Sequence, residues 1–169
     1  AMGMEDSGPL SVHGHATMPN IENGYNTPKN FTVDCEYPDD VQLHVQIGDN
    51  GVLFEGDEGR IFVNRGKLTG APVEKFLEKY SMEERPSDWT LLVESNDHMG
   101  NFFDCVKSRE TPISDVASHH RSITACHLSN ISMRLGRKLN WDPKNETFVG
   151  DSEANAMLSR EQRSPYQWS

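Results

Sequence analysis

The stretch "SHHRSITACHLSNISMRLGR", Ser118 to Arg137, gathers three of the chain's seven histidines and one of its three cysteines. Such residues bind metals, move protons and attack electrophiles, so their spacing decides what they can do together. His120 and His127 are seven residues apart, which on a helix is two turns, or about 10 Å along the axis. Two ligands on one helix converge on an ion at i and i+3 or i+4. The positions that would pair with His127 hold Ile123, Thr124, Asn130 and Ile131, so no metal site is expected. Cys126 and His127 are neighbours, which on a helix point about 100° apart, so they do not make a nucleophile and its base. The histidines are left as packed core groups or as the wall of a site. The chain contains no GxGxxG, GxSxG, HExxH or phosphate-loop motif. No catalytic residue, metal ligand or cofactor-binding residue is therefore expected on this chain.

Several elements must position this stretch. Val116, His120, Ile123, His127, Ile131 and Leu135 recur at helical spacing, with Thr124 and Leu128 widening the stripe. The pattern predicts one long amphipathic helix that carries His120 and His127 on its core-facing side and ends at Gly136. Two more helices are predicted in "TGAPVEKFLEKY", with Pro72 in the first turn, and in "SNDHMGNFFDCVKSR", stopped by Thr111-Pro112. The first half reads as strands. "FTVDCEY" alternates Phe31, Val33, Cys35 and Tyr37 against Thr32, Asp34 and Glu36, and "VQLHVQI" alternates Val41, Leu43, Val45 and Ile47 against Gln42, His44 and Gln46. Period two gives each strand a dry face and a wet one, as in an antiparallel sheet covered on one side. Pro38, Asp39 and Asp40 join them as a hairpin. "GVLFEG" and "GRIFVNRG" form a second hairpin around Asp57-Glu58. A strand is expected within Leu10 to Met18, a short closing strand in "KLNWDP", and a last helix in "DSEANAMLSREQ" capped by Asp151 or Ser152. The tail, with Tyr166 and Trp168, is expected to dock.

Taken together this is an α+β chain: an open, mainly antiparallel β-sheet with helices packed on one face. Its 169 residues suit one domain, strand-rich over 8–66, helix-rich over 70–137, with a closing strand and tail over 138–169. A formal net charge of −10 repels phosphate backbones and disfavours nucleic-acid partners. No apolar run reaches the roughly 18 residues of a membrane span. Three widely spaced cysteines, an odd number, point to a reducing, cytoplasmic setting.

"FEGDEGRIFVNRGKL", "SNDHMGNFFDCVKSRETPISDV", "HHRSITACHLSNISMRLGRKLNWDP" and "FVGDSEANAMLSR", read in order, resemble the C-terminal domain of Gfo/Idh/MocA oxidoreductases, the relatives of glucose–fructose oxidoreductase and inositol dehydrogenase. The nearest likeness is to the subgroup common in planctomycete bacteria. The resemblance implies a two-domain parent in which an N-terminal Rossmann domain holds NAD or NADP. The present domain would then contact a sugar, polyol or related hydroxy compound and, through its open sheet face, form a homo-oligomer. The family's nucleotide-binding glycines, its Glu-Lys-Pro segment and its His-His-x-Asp helix are not in this sequence. Residue 1 is expected to fall just after that catalytic helix, so the chain alone is expected to be inactive. Two groups are candidates for substrate binding. Tyr25, Asn26 and Thr27 sit in a loop able to present hydroxyl and amide groups to a sugar, or forming a plain turn before Pro28. His120 and Arg121 begin the long helix, whose first end in the family tends to face the cofactor domain; the alternative is a core histidine beside a surface arginine. A stand-alone carbohydrate- or protein-binding module is the competing reading, since fold does not imply function.

Overall fold

A computed structural model of the chain describes residues 2–4, 6–80 and 92–167. Within the single expected domain, these residues form two compact units, one of residues 1–47 with 100–169 and one of residues 48–99.

The first unit is built on β1 (Ser11–Ala16), β2 (Phe31–Glu36) and β3 (Gln42–Gln46). β2 and β3 form the predicted hairpin, with Thr32 opposite Gln46, Asp34 opposite His44 and Glu36 opposite Gln42. Its turn is closed by Tyr37 N–H to Val41 O at 2.8 Å and Val41 N–H to Pro38 O at 3.3 Å. Asp39 and Asp40 between them have φ of 57° and 58°. That left-handed pair matches the right-handed twist of the strands, and aspartate tolerates it better than bulkier residues. β1 pairs antiparallel along the whole of β2. On its other side it meets β7 (Leu139–Asp142) only at Ser11 and Val12. β8 (Thr147–Phe148) follows β7, giving the order β3-β2-β1-β7-β8. All strand pairings among the described residues are antiparallel.

The helix α3 (Val116–Leu135) lies mainly across β1 and reaches β2. It ends where predicted, Gly136 at φ 65° closing it with its N–H on Ser132 O. Its orientation about its own axis is different. Leu128, Ile131 and Ser132 are the buried positions, whereas His120 and His127 are exposed and Val116 stays 84% exposed. The buried stripe overlaps the predicted one at Leu128 and Ile131 but is centred further round, toward Ser132, so the expected core-facing histidines are surface groups. The physical cause lies at Gly14. A Cβ there would stand 2.5 Å from Met133 Cγ and 2.9 Å from Met133 N, so the helix backbone can approach the strand only over a glycine. Gly14 is also beyond the reach of β7, and its N–H instead donates to Ser132 Oγ at 2.8 Å. The Ser132 hydroxyl in turn donates to Arg137 O at 2.7 Å.

The core comprises Val12, Val33, Cys35, Leu128, Ile131, Leu139, Trp141, Phe148 and Ala154. Each fully buried Val or Leu contributes about 1.5–3 kcal/mol. Trp141 and Phe148 face each other in register and pack edge to face, centroids 5.0 Å apart. Burial pushes the Cys35 thiol up to about 11, which leaves it the small apolar filler expected of it. On β2 the predicted alternation is exact in burial: Val33 and Cys35 in, Thr32, Asp34 and Glu36 out. On β3 it is not. Leu43, Val45 and Ile47 are 38%, 39% and 57% exposed, because β3 is the sheet edge and α3 lies over β1 and β2.

Arg137 follows α3 and clamps α4 (Ser152–Ala156), donating to both Asp151 carboxylate oxygens and to Glu153. Asp151 is the N-cap, accepting from Ala154 N–H at 2.9 Å. α2 (His98–Ser108) begins directly after Asp97. It stops earlier than Thr111-Pro112 because Arg109 takes a left-handed φ of 65° and bonds back to Cys105 O. The tail does not dock where it is described: residues 159–167 are exposed, Tyr166 at 74%, and Trp168 lies outside the described residues.

In the second unit, β4 (Val52–Gly56), β5 (Gly59–Asn64) and β6 (Lys67–Thr69) form a three-stranded sheet, with α1 (Ala71–Lys79) packed on β5 and β6. The predicted hairpin turns at Asp57-Glu58 between Gly56 and Gly59. Pro72 stands in the first turn of α1 as expected.

Candidate functional site

The first end of α3 is set by Asp115. Its carboxylate accepts from the N–H groups of Ala117 at 2.9 Å and Ser118 at 3.0 Å and from the Ser118 hydroxyl at 2.8 Å. These bonds hold the acid below its ordinary range, the Ser118 backbone N–H most of all. They also fix where the second turn presents His119, His120 and Arg121. His119 pairs with the Ser114 hydroxyl. His120 donates from Nε2 to Glu146 Oε1 at 2.6 Å.

Glu146 comes from a separate element, 26 residues further along the chain. The β7–β8 hairpin turns through residues 143–146. Asp142 shapes that turn by accepting from Lys144 N–H, Asn145 N–H and the Asn145 amide, contacts that lower its own titration, the Asn145 side chain foremost. The last loop residue, Glu146, has φ 53°. A left-handed position is one where glycine or asparagine costs least, and another residue there costs roughly 1–2 kcal/mol. The glutamate is thereby aimed at the helix. Both partners of the His120–Glu146 pair are 55% exposed, so the pair adds little to stability; its effect is to orient the imidazole.

Between the hairpin and α3 lies a cleft of about 440 Å³, lined among others by Asp6, His120, Arg121, Trp141, Lys144 and Glu146. That volume falls in the ~300–1,000 Å³ range of small-molecule sites. Trp141 anchors the hairpin in the core, and the charged groups stand on the rim. Ser7 and Thr124 add hydroxyls to the lining. Carboxylates that accept, cations that donate and hydroxyls that do both suit a ligand rich in hydroxyl groups.

The two predicted groups of site residues are not together. His120 and Arg121 line this cleft. Asn26 accepts from Arg134 at 3.3 Å at the other end of α3, roughly 20 Å along the helix from His120 at 1.5 Å per residue. Tyr25 is 89% exposed, and Asn23, at φ 55°, together with the Gly24 N–H to Ile21 O bond, makes the segment before it a turn. Asp6, Lys144 and Glu146 are lining residues that sequence reasoning missed. The one available signal was a glutamate closing the short "DPKNE" connection, where a turn favours Gly or Asn.

The first ends of α1 and α3 do not fit a dinucleotide. A pyrophosphate needs uncommitted N–H groups at a helix start. At α3 these are taken by the Asp115 carboxylate, and α1 opens with Pro72 and Glu74. Among the described residues no group of three or more His, Cys, Asp or Glu side chains is placed to hold a metal ion. No described helix is long and apolar enough to cross a membrane.

Antiparallel sheets with helices packed on them, and a cleft of ligand size at the first end of α3, make this an α+β domain. Residues 32–168 match the family model described as oxidoreductase family, C-terminal alpha/beta domain, of the Gfo/Idh/MocA group, and the chain belongs to that family. Comparison with curated proteins gives no match.

Proposed function

We propose that this chain is the substrate-binding and oligomerisation domain of an NAD(P)-dependent oxidoreductase acting on a sugar, polyol or related hydroxy compound. The observation that carries the reading is the cleft at the first end of α3, where His120, Arg121, Lys144 and Glu146 converge on a space of ligand size. In the intact protein the nicotinamide, held by the N-terminal Rossmann domain, supplies the hydride exchange. The present residues bind and orient. With Nε2 committed to Glu146, the remaining imidazole acceptor of His120 is Nδ1, which fits a ligand hydroxyl. The glutamate holds that tautomer in place, as a carboxylate does behind other working histidines. Arg121 and Lys144 fix the ligand's orientation from the rim. Precise placement of this kind is worth orders of magnitude in rate.

The test compares the chain alone with the chain joined to its N-terminal domain, using NAD and NADP against a panel of sugars and polyols. The chain alone gives no turnover, and the joined protein does. His120→Ala in the joined protein lowers kcat/KM by ~10–100-fold, in line with loss of a positioned polar group. Turnover by the chain alone would sink the proposal. So would a His120→Ala protein within twofold of the parent on every substrate it accepts.

A further inference from the structure

We infer that the α3 cleft selects a hydroxylated monocarboxylate, a sugar acid, over the neutral sugar or polyol of the same skeleton. The inference rests on the substrate-domain reading above and names its ligand class.

The charges decide it. The chain carries 26 acidic and 16 basic residues, and four of the bases stand in ion pairs: Arg60 with Glu55, Lys107 with Asp104, Arg137 with Asp151 and Glu153, and Lys138 with Glu36. Arg121, on the helix side of the cleft, makes no ion pair with any described residue, whereas Lys144, on the hairpin side, lies near enough to Asp142 to help lower that acid's titration. Two cations therefore face a common space in a protein whose net charge is strongly negative. Of the two carboxylates beside them, Glu146 is already engaged by His120 at 2.6 Å. Asp6 is the acid left over, and it suits hydroxyl donors.

A neutral polyol would leave the Arg121 guanidinium without a carboxylate to pair with. A carboxylate answers the planar guanidinium fork of Arg121, which pairs with it through two parallel N–H donors. Lys144 adds a point charge from the other wall. A phosphate ester answers the site less well, because it carries up to two negative charges next to Asp6 and Glu146, and like charges oppose its binding. The unusual backbone of Glu146 fits the same scheme. With its φ of 53° the glutamate sits on His120 rather than on Arg121, so the guanidinium stays available.

The experiment titrates the isotopically labelled chain with gluconate, glucitol and glucose 6-phosphate and follows the Trp141 indole N–H and the Ala117 amide by NMR. Gluconate is expected to shift both signals with a Kd at least tenfold below that of glucitol and below that of the phosphate ester. Arg121→Gln, at an exposed position whose spectrum away from the cleft serves as the folding control, brings the gluconate-to-glucitol ratio toward one. Arg121→Lys restores part of it. Equal affinity for gluconate and glucitol overturns the inference, as does tighter binding of the phosphate ester or a preference that survives Arg121→Gln. The two proposals fail separately. Turnover by the joined protein of neutral sugars, without preference for their acids, removes this inference and leaves the domain assignment. Gluconate selectivity in a chain whose joined protein never uses NAD(P) removes the assignment and leaves the site.

Discussion

Replacing Ser132 by alanine tests the account of how α3 is seated. Ser132 is 0% exposed. Its hydroxyl accepts from Gly14 N–H at 2.8 Å and donates to Arg137 O at 2.7 Å. Alanine removes both bonds and puts nothing polar in their place. A typical neutral hydrogen bond contributes about 1 kcal/mol net, and a buried donor or acceptor left without a partner costs about 1–3 kcal/mol. Gly14 N–H is the group most clearly stranded, since β7 does not extend to it. The Arg137 carbonyl sits in a half-buried residue and recovers part of its loss from solvent. The expected cost is therefore about 2–4 kcal/mol, a large part of the ~5–15 kcal/mol that holds a domain folded. For a chain of this length that corresponds to a Tm lower by about 5–15 °C. The assay is urea denaturation followed by far-ultraviolet circular dichroism, to which α3, with 20 residues the longest described helix, contributes most among the helices. Ser122→Ala is the control. It also removes a hydroxyl bonded to the carbonyl four residues back, but at an exposed position, and it should change stability by less than about 0.5 kcal/mol. A Ser132→Ala protein as stable as that control would show that the hydroxyl does not seat the helix on β1.

Two further outcomes follow from the charge arrangement. Glu36, Asp115, Asp142 and Asp151 are all held below the ordinary carboxylate range, by Lys138, Ser118, Asn145 and the Ala154 N–H respectively as the largest causes. A lowered folded-state pKa gives stability that is present above the ordinary value and is lost as pH falls through the folded one; Tm should be level above about pH 5 and drop on acidification through 4, with Asp151→Asn showing a smaller drop, and a Tm independent of pH down to 3 would refute the assignment. We also propose self-association through the open face of the five-stranded sheet, where Thr32, Asp34, Glu36, Gln42, His44 and Gln46 stand out in register: light scattering should show at least a dimer, and His44→Glu with Gln46→Glu, which replaces the His44–Asp34 hydrogen bond of 2.6 Å by like charges, should weaken it. A monomeric parent would remove that proposal, and an unchanged dimer in the double variant would move the interface off the sheet.

What could be read from the chain alone was local. Alternation over 31–37 and 41–47 with an Asp-Asp turn leaves little choice but a hairpin in that register, because a slip of one residue would exchange the dry and wet faces. Gly136 after a helical run ends α3 by capping chemistry that operates within a turn. The family was legible for the same reason, as ordered local motifs. The tertiary structure decided the remainder. Periodicity gives a helix a stripe but not the stripe that is buried when Val116, Ile123, Leu128 and Ile131 offer two overlapping ones. The choice fell to Gly14 and Ser132, 118 residues apart, where a bare backbone and a hydroxyl allow close approach on one side only. The same contact turned His127 outward and left His120 to meet Glu146, 26 residues on. No sequence spacing links those two, since their meeting depends on β7 pairing with the distant β1 as well as with β8. Tyr25, Asn26 and Thr27 carried the right chemistry for a sugar, but the direction of α3 sets them at its opposite end.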